Sequence, residues 1–212
     1  LNKWGSTNIY SEDENGNPIY DFTCIDKMFD IWIDAGNLPF FEIGFMPRDL
    51  ARLPEDGKPY SDGSYRSTGW AMPPKDWQKW YDLIYALMAH LKDRYGEDGL
   101  KRWYFELWNE PDIIYWRGTH EEYCKLFDYT EAAIHSVLPD ARFGGPATTG
   151  NNTYDSSAAV YLRDFLRHCR EGENFYSGKT GTRLDFTSFH TKGGLYNMNL
   201  KAAKQIPSVQ VF

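Results

Sequence analysis

The residue best suited to chemistry is Glu110, in the tetrapeptide Trp108-Asn109-Glu110-Pro111. Residues 102–108 form an apolar run rich in aromatics, which predicts a buried strand. Pro111 cannot donate a hydrogen bond to a neighbouring strand, so strand pairing should stop there. Glu110 is therefore expected at the carboxyl end of a strand, where β/α barrels place catalytic residues that transfer protons. The alternative is an ordinary solvated loop carboxylate.

The segments around this strand alternate between amphipathic helices and short apolar strands, which is typical of a parallel α/β sheet. Helices are predicted over 22–36, 76–95, 120–138 and 157–171, and further strands over 38–45, 141–145 and 184–190. Residues 1–21 and 48–74 are predicted to be loops. Polar residues recur at strand ends and favour a closed barrel over an open sheet; they are Glu42, Asn109, Glu110, His190 and Lys192.

The composition excludes several classes of function. The net charge is −7, without a long run of either sign, which argues against a nucleic-acid partner. No apolar run reaches the length that spans a membrane. The 5 histidines are scattered, so we expect no metal, and the chain has no Walker lysine, so we expect no nucleotide cofactor either. The 3 cysteines show no Cys-x-x-Cys spacing and weakly favour a reducing, cytoplasmic compartment.

Four motifs resemble those of glycoside hydrolase family 39, the family of β-xylosidases and α-L-iduronidases. They are P-F-F-E-I-G-F-M-P (39–47), F-E-L-W-N-E-P-D (105–112), R-F-G-G-P-A-T (142–148) and L-D-F-T-S-F-H-T-K-G-G (184–194). The resemblance implies a (β/α)8 TIM barrel and a retaining mechanism. Such enzymes use two carboxyl groups about 5–5.5 Å apart, one as the acid/base and one as the nucleophile.

The resemblance also implies roles for polar residues. Glu110 would be the acid/base, and Asn109 would contact the sugar 2-hydroxyl group. His190 would line the sugar pocket, unless it is a satisfied histidine at a strand end. Lys192 would bind a sugar carboxylate in an iduronidase-like site or make a general polar contact in a xylosidase; the alternative is an exposed loop lysine.

Three further residues have weaker functional readings. Glu42 would support the floor of the pocket by hydrogen bonding, and a purely structural role is the alternative. Phe45 and Trp116 would offer aromatic rings to the apolar face of a sugar, unless they belong to core or loop packing. Aromatic residues make up 17% of the chain, which suits either reading.

The second catalytic carboxylate has no candidate near the end of the chain, because no Asp or Glu follows Asp185. The family nucleophile lies at the end of barrel strand seven, whereas the predicted strands correspond to strands three to six. A complete barrel typically needs about 250 residues. We therefore expect residues 1–212 to be a partial catalytic barrel, truncated at both ends, with the nucleophile beyond the C-terminus and little activity in isolation.

Three functions remain open, each with an oligosaccharide as partner. The first is retaining hydrolysis of terminal β-xylosyl residues from xylo-oligosaccharides. The second is α-L-iduronidase-like hydrolysis of uronides. The third is a degenerate barrel that binds carbohydrate without cleaving it.

Overall fold

The computed structural model describes residues 8–53, 69–150 and 155–190. These residues contain the strands β1 (Tyr10–Glu12), β2 (Pro18–Tyr20), β3 (Phe40–Ile43), β4 (Tyr104–Leu107), β5 (Arg142–Thr148) and β6 (Phe186–Phe189). The α-helices are α1 (Thr23–Asp34), α2 (Trp77–Tyr95), α3 (Glu97–Leu100), α4 (His120–Val137) and α5 (Ser157–Glu171), with a 3₁₀ turn at Arg48–Leu50. The four predicted helices and four predicted strands are confirmed. Among the described helices, none is long and apolar enough to cross a membrane.

Four of the strands form one parallel sheet in the order β3-β4-β5-β6. Helix α2 leads from β3 towards β4, α4 connects β4 to β5, and α5 connects β5 to β6. Consecutive parallel strands with a helix in each crossover are the repeating unit of a β/α barrel. The described residues therefore form part of such a barrel, as the sequence predicts.

One face of the sheet packs against the helices through aromatic side chains. Phe41 of β3 contacts Phe29 of α1, with ring centroids 5.0 Å apart, and Phe143 of β5 stacks on Phe127 of α4 at 4.6 Å. Phe105 of β4 is fully buried on the same side. Alternate residues of a strand point to opposite faces, so these positions fix which residues face the other way.

The opposite side of the sheet, which we call the inner face, begins with three aromatic rings. Phe40, Tyr104 and Phe186 lie 5.5 to 5.7 Å apart as a triangle. Two residues further along β3 and β4 the inner face turns polar, at Glu42 and Glu106. Gly144 of β5 provides the space between β4 and β6, because a Cβ atom there would lie 2.2 Å from the carbonyl oxygen of Phe186.

The helix boundaries follow from local chemistry. The Asp76 carboxylate accepts hydrogen bonds from the first backbone N–H groups of α2, and Gly96 ends that helix with a φ of 75°. Helix α4 begins with a capping box in which Thr119 and Glu122 satisfy each other's backbone N–H groups. These caps fix where the crossover helices α2 and α4 start.

The prediction of a loop over residues 1–21 is wrong in part. β1 and β2 form an antiparallel hairpin in which Tyr10 pairs with Tyr20. The turn is held by Asp13, whose carboxylate accepts hydrogen bonds from the backbone N–H groups of Asn15 and Asn17. The hairpin is attached to α2 because Glu12 binds Lys79 at 2.8 Å.

Candidate active site

The backbone that carries Glu110 has an uncommon conformation. Trp108 and Glu110, just after β4, have φ values of 69° and 48°, and Ala147 near the end of β5 has 51°. A non-glycine residue in this left-handed region costs about 1–3 kcal/mol and persists only where its surroundings hold it. Such residues concentrate at functional sites, and here they cluster at the carboxyl ends of two neighbouring strands.

Hydrogen bonds from neighbouring strands hold this segment in place. The N–H of Trp108 donates to Ile43 of β3 at 2.9 Å, and the N–H of Glu110 donates to the carbonyl oxygen of Ala147 at 2.9 Å. Asp112 accepts hydrogen bonds from both the N–H and the hydroxyl group of Thr149. The main chain around Glu110 is therefore fixed from both sides, by β3 and by the end of β5.

The side chain of Glu110 meets that of His190, although the two residues follow different strands. The Nδ1 atom of His190 lies 2.7 Å from Oε1 of Glu110. The backbone N–H of His190 donates to Thr148 at 2.7 Å, so the histidine is positioned by β5. Glu110 is largely covered, with a side chain 14% exposed, whereas that of His190 is 40% exposed. The structure thus brings together two of the predicted site residues.

Two more carboxyl groups lie on the inner face beneath this pair. Glu42 and Glu106 are register partners in β3 and β4, which places them side by side. Burial raises the pKa of Glu106. Although part of Glu42 reaches solvent, desolvation by the surrounding protein and repulsion from Glu106 and Glu110 raise its pKa to about 7. Two like charges on neighbouring side chains disfavour ionisation of both groups.

Glu106 was not among the sequence-predicted site residues, but the sequence contains a signal for it. The strands Phe40-Phe41-Glu42-Ile43 and Tyr104-Phe105-Glu106-Leu107 share one pattern of two aromatics, a glutamate and an aliphatic residue. A glutamate within a buried strand, repeated at the same place in two strands, indicates a polar layer on one face of the sheet.

The two predicted sugar-facing aromatics have different environments. Phe45 is 36% exposed and packs against Trp70 and Trp108, with ring centroids 4.4 and 5.2 Å away. Trp116 is 5% exposed, and its indole N–H donates to the carbonyl oxygen of Thr119 at 2.9 Å. The structure therefore supports the packing alternative for Trp116 and leaves Phe45 with a ring available to a ligand.

The remaining predicted site residues are Asn109 and Lys192. Asn109 is half-buried beside Glu110, and its side chain makes no hydrogen bond within the part of the chain that the structure describes. Lys192 lies outside the described residues. Among residues 8–53, 69–150 and 155–190, no group of His, Cys, Asp and Glu side chains is arranged to hold a metal ion.

The fold and this cluster together define part of a β/α barrel whose strand ends carry several carboxyl groups and a histidine. Comparison with known proteins names the family. The sequence model of the family described as "Glycosyl hydrolases family 39" matches residues 4–211. The chain therefore belongs to this family, as its motifs predict. The β-xylosidase of Geobacillus stearothermophilus is 37% identical over 168 residues, which cover 77% of this chain and 31% of the relative.

Two other relatives are similar over much of the chain. The α-L-iduronidase of Homo sapiens is 29% identical over 136 residues, or 63% of this chain and 20% of the relative. The solved structure of a family 39 β-xylosidase from Caulobacter crescentus superposes with a TM-score of 0.71 at 30% identity, over 94% of this chain and 40% of that one. The chain thus spans less than half the length of each of these proteins.

Proposed function

We propose that this chain carries the acid/base half of a retaining glycoside hydrolase that removes terminal β-xylosyl residues from xylo-oligosaccharides. The observation that carries the proposal is Glu110, at the carboxyl end of β4, with a positive φ and a 2.7 Å contact to His190. The xyloside is preferred because the β-xylosidase relatives are 37% and 34% identical, against 29% for the human α-L-iduronidase.

Glu110 acts twice in this mechanism. It first protonates the glycosidic oxygen of the leaving group, and later removes a proton from the water that releases the covalent intermediate. His190 contacts one carboxyl oxygen and so limits rotation of the carboxyl group. Asn109, whose amide has no hydrogen-bond partner among the described residues, binds the 2-hydroxyl group of the sugar, an interaction that strengthens in the transition state. Phe45 offers its exposed ring to the apolar face of the sugar.

The nucleophile in this proposal lies outside the chain. A nucleophilic carboxylate must be ionised, and the raised pKa values of Glu42 and Glu106 argue against either residue in that role. The relatives are far longer than the 212 residues. We propose that residues 1–212 are part of a longer catalytic barrel, and that this stretch alone does not turn over substrate. In that barrel Glu42 belongs to the pocket floor, and Lys192 makes a polar contact with the sugar.

The test is the activity of the intact protein that contains this chain, on aryl β-xylosides and an aryl α-L-iduronide. We expect Glu110→Gln to lower kcat/KM for an unactivated xyloside by about 10²- to 10⁴-fold, since proton transfer contributes about that much. The loss should be far smaller with a 2,4-dinitrophenyl leaving group, which departs without protonation. Glu121→Gln, at an exposed position of α4, is the matched control and should have no effect.

Other outcomes would redirect or reject the proposal. Turnover of the iduronide in place of the xyloside would favour the uronide hydrolase, with Lys192 as the ligand of the sugar carboxylate. Binding of xylo-oligosaccharide without turnover would favour the degenerate, carbohydrate-binding barrel. Inversion of the anomeric centre in the product would exclude the retaining mechanism. Full activity of Glu110→Gln on the unactivated xyloside would exclude Glu110 as the acid/base.

A further inference from the structure

Ser188 of β6 stands at an irregular place in the sheet. The pairing of β5 with β6 shifts register between Gly145 and Thr148, and Ala147 lies inside that shift. The N–H of Ala147 donates to the Oγ atom of Ser188, a side-chain acceptor, at 3.1 Å. The hydroxyl group of Ser188 therefore supplies the acceptor for Ala147 where the β5–β6 pairing is broken.

The same alanine is held on its other side by Glu110. The carbonyl oxygen of Ala147 accepts the N–H of Glu110 at 2.9 Å. Ala147 has a φ of 51°, a conformation that a residue with a Cβ atom leaves unless its contacts hold it. Ser188 fixes the peptide before Ala147, and Glu110 is bound to the peptide after it.

We infer that Ser188 is a positioning residue for Glu110: it fixes the strained Ala147 backbone, and through it the main chain of the acid/base. The catalytic consequence depends on the function proposed above, whereas the positioning itself does not. Removing the hydroxyl group lets Ala147 relax and displaces Glu110. A displacement of about 1 Å at a reacting group costs about 10²-fold in rate.

The kinetic test compares Ser188→Ala with Ser188→Thr in the intact protein. We expect Ser188→Ala to lower kcat/KM for an unactivated xyloside by about 10- to 100-fold, because protonation of the leaving group is impaired. The 2,4-dinitrophenyl xyloside should lose less than about 3-fold, because it needs no protonation. Ser188→Thr keeps a hydroxyl group and should retain most of the activity on both substrates.

A matched variant separates positioning from general damage to the sheet. Thr187→Ala is the matched control, since Thr187 also donates from β6 to a β5 carbonyl oxygen, that of Gly145, at 3.1 Å. It should not change the ratio between the two substrates.

An equal loss on both substrates, or no loss with Ser188→Ala, would overturn the inference. Amide hydrogen exchange gives a readout that does not need activity. The N–H of Glu110 should exchange faster in Ser188→Ala and stay protected in Ser188→Thr and Thr187→Ala. Unchanged protection in Ser188→Ala would also overturn the inference. If no variant at Glu110 shows leaving-group dependence, the proposed function fails, and hydrogen exchange alone decides the role of Ser188.

Discussion

Two groups of carboxylates, one in the helix layer and one on the inner face, have opposite surroundings. Asp128 of α4 is fully buried, and its oxygens accept hydrogen bonds from Thr182 at 2.6 Å and from the N–H of Phe175 at 2.8 Å, with His168 at 3.0 Å. The carboxyl groups of Glu42, Glu106 and Glu110 instead lie near one another. Among the described residues, His190 acts in the opposite direction, since it favours ionisation of Glu42 and contacts Glu110.

The difference separates a group that stabilises the fold from one suited to chemistry. Each oxygen of Asp128 is satisfied by neutral donors or by a histidine, so it connects α4 to α5 and to the loop after α5 at no electrostatic conflict. The inner-face carboxyl groups repel one another: burial raises the pKa of Glu106, and desolvation together with repulsion from Glu106 raises that of the more exposed Glu42. Carboxyl groups with perturbed pKa values occur more often at functional sites than elsewhere, which makes this cluster a candidate site.

The largest effect expected from this comparison is a loss of stability when the buried carboxylate of the helix layer, Asp128, is removed. We expect Asp128→Ala to lower the free energy of unfolding by about 3–5 kcal/mol, because His168, Thr182 and the N–H of Phe175 lose their acceptor inside the protein. Chemical denaturation measures the change. The kcat/KM ratio between unactivated and activated substrates should stay at the wild-type value.

Asp164→Ala is the matched control for that variant. Asp164 is an aspartate of α5 with a side chain 43% exposed, and it pairs with Arg167 at 2.8 Å. Exposed ion pairs contribute about 0–1 kcal/mol, so this variant should unfold almost like the wild type. A loss below about 1 kcal/mol for Asp128→Ala would show that the helix-layer network does not stabilise the fold, and the contrast with the inner face would disappear.

The fold was predictable from sequence where the signals are local. Helices α2, α4 and α5 show apolar periodicity over several turns and caps such as Asp76 and Thr119, so their ends were found to within a residue or two. The hairpin of β1 and β2 was missed because its strands have three residues each. Such short strands show no alternation, and their pairing depends on Glu12 and its lysine partners on and before α2.

The candidate site was predictable where one motif carries it. Glu110 stands in a specific tetrapeptide at a strand end, and His190 lies within another motif, 184–194. The partnership of Glu42 with Glu106, and of Ser188 with Ala147, depends on register between strands that are distant in sequence. Periodicity gives the face that a residue occupies but not its neighbour on the next strand. Trp116 shows the same limit, because an aromatic residue after a strand suits a ligand or the core equally well.

A smaller expected effect is on the pH dependence of stability, and it concerns Glu42 of the inner face. The pKa of Glu42 is raised from its ordinary 4.5 to about 7, so the folded state binds this proton more tightly than the unfolded state. Glu42 therefore does not destabilise the fold below about pH 4.5, and destabilises it progressively as pH rises towards 7. We expect Glu42→Gln to leave Tm unchanged at pH 4.5 and to raise it at pH 8, in paired calorimetric scans.

Glu12 of the hairpin provides the control of opposite sign. Burial acts against its ionisation, but hydrogen bonds from Lys75 and Lys79 outweigh burial and lower the pKa of Glu12 to about 2. Its contribution to stability is present above about pH 4.5 and is lost as pH falls through 2, so Glu12→Gln should lower Tm at pH 8. If both variants shifted Tm in the same direction at pH 8, Glu42 would be a stabilised structural carboxylate like Asp128. Opposite shifts would show that the inner face retains a carboxyl group that destabilises the fold at neutral pH, as expected of residues that serve chemistry.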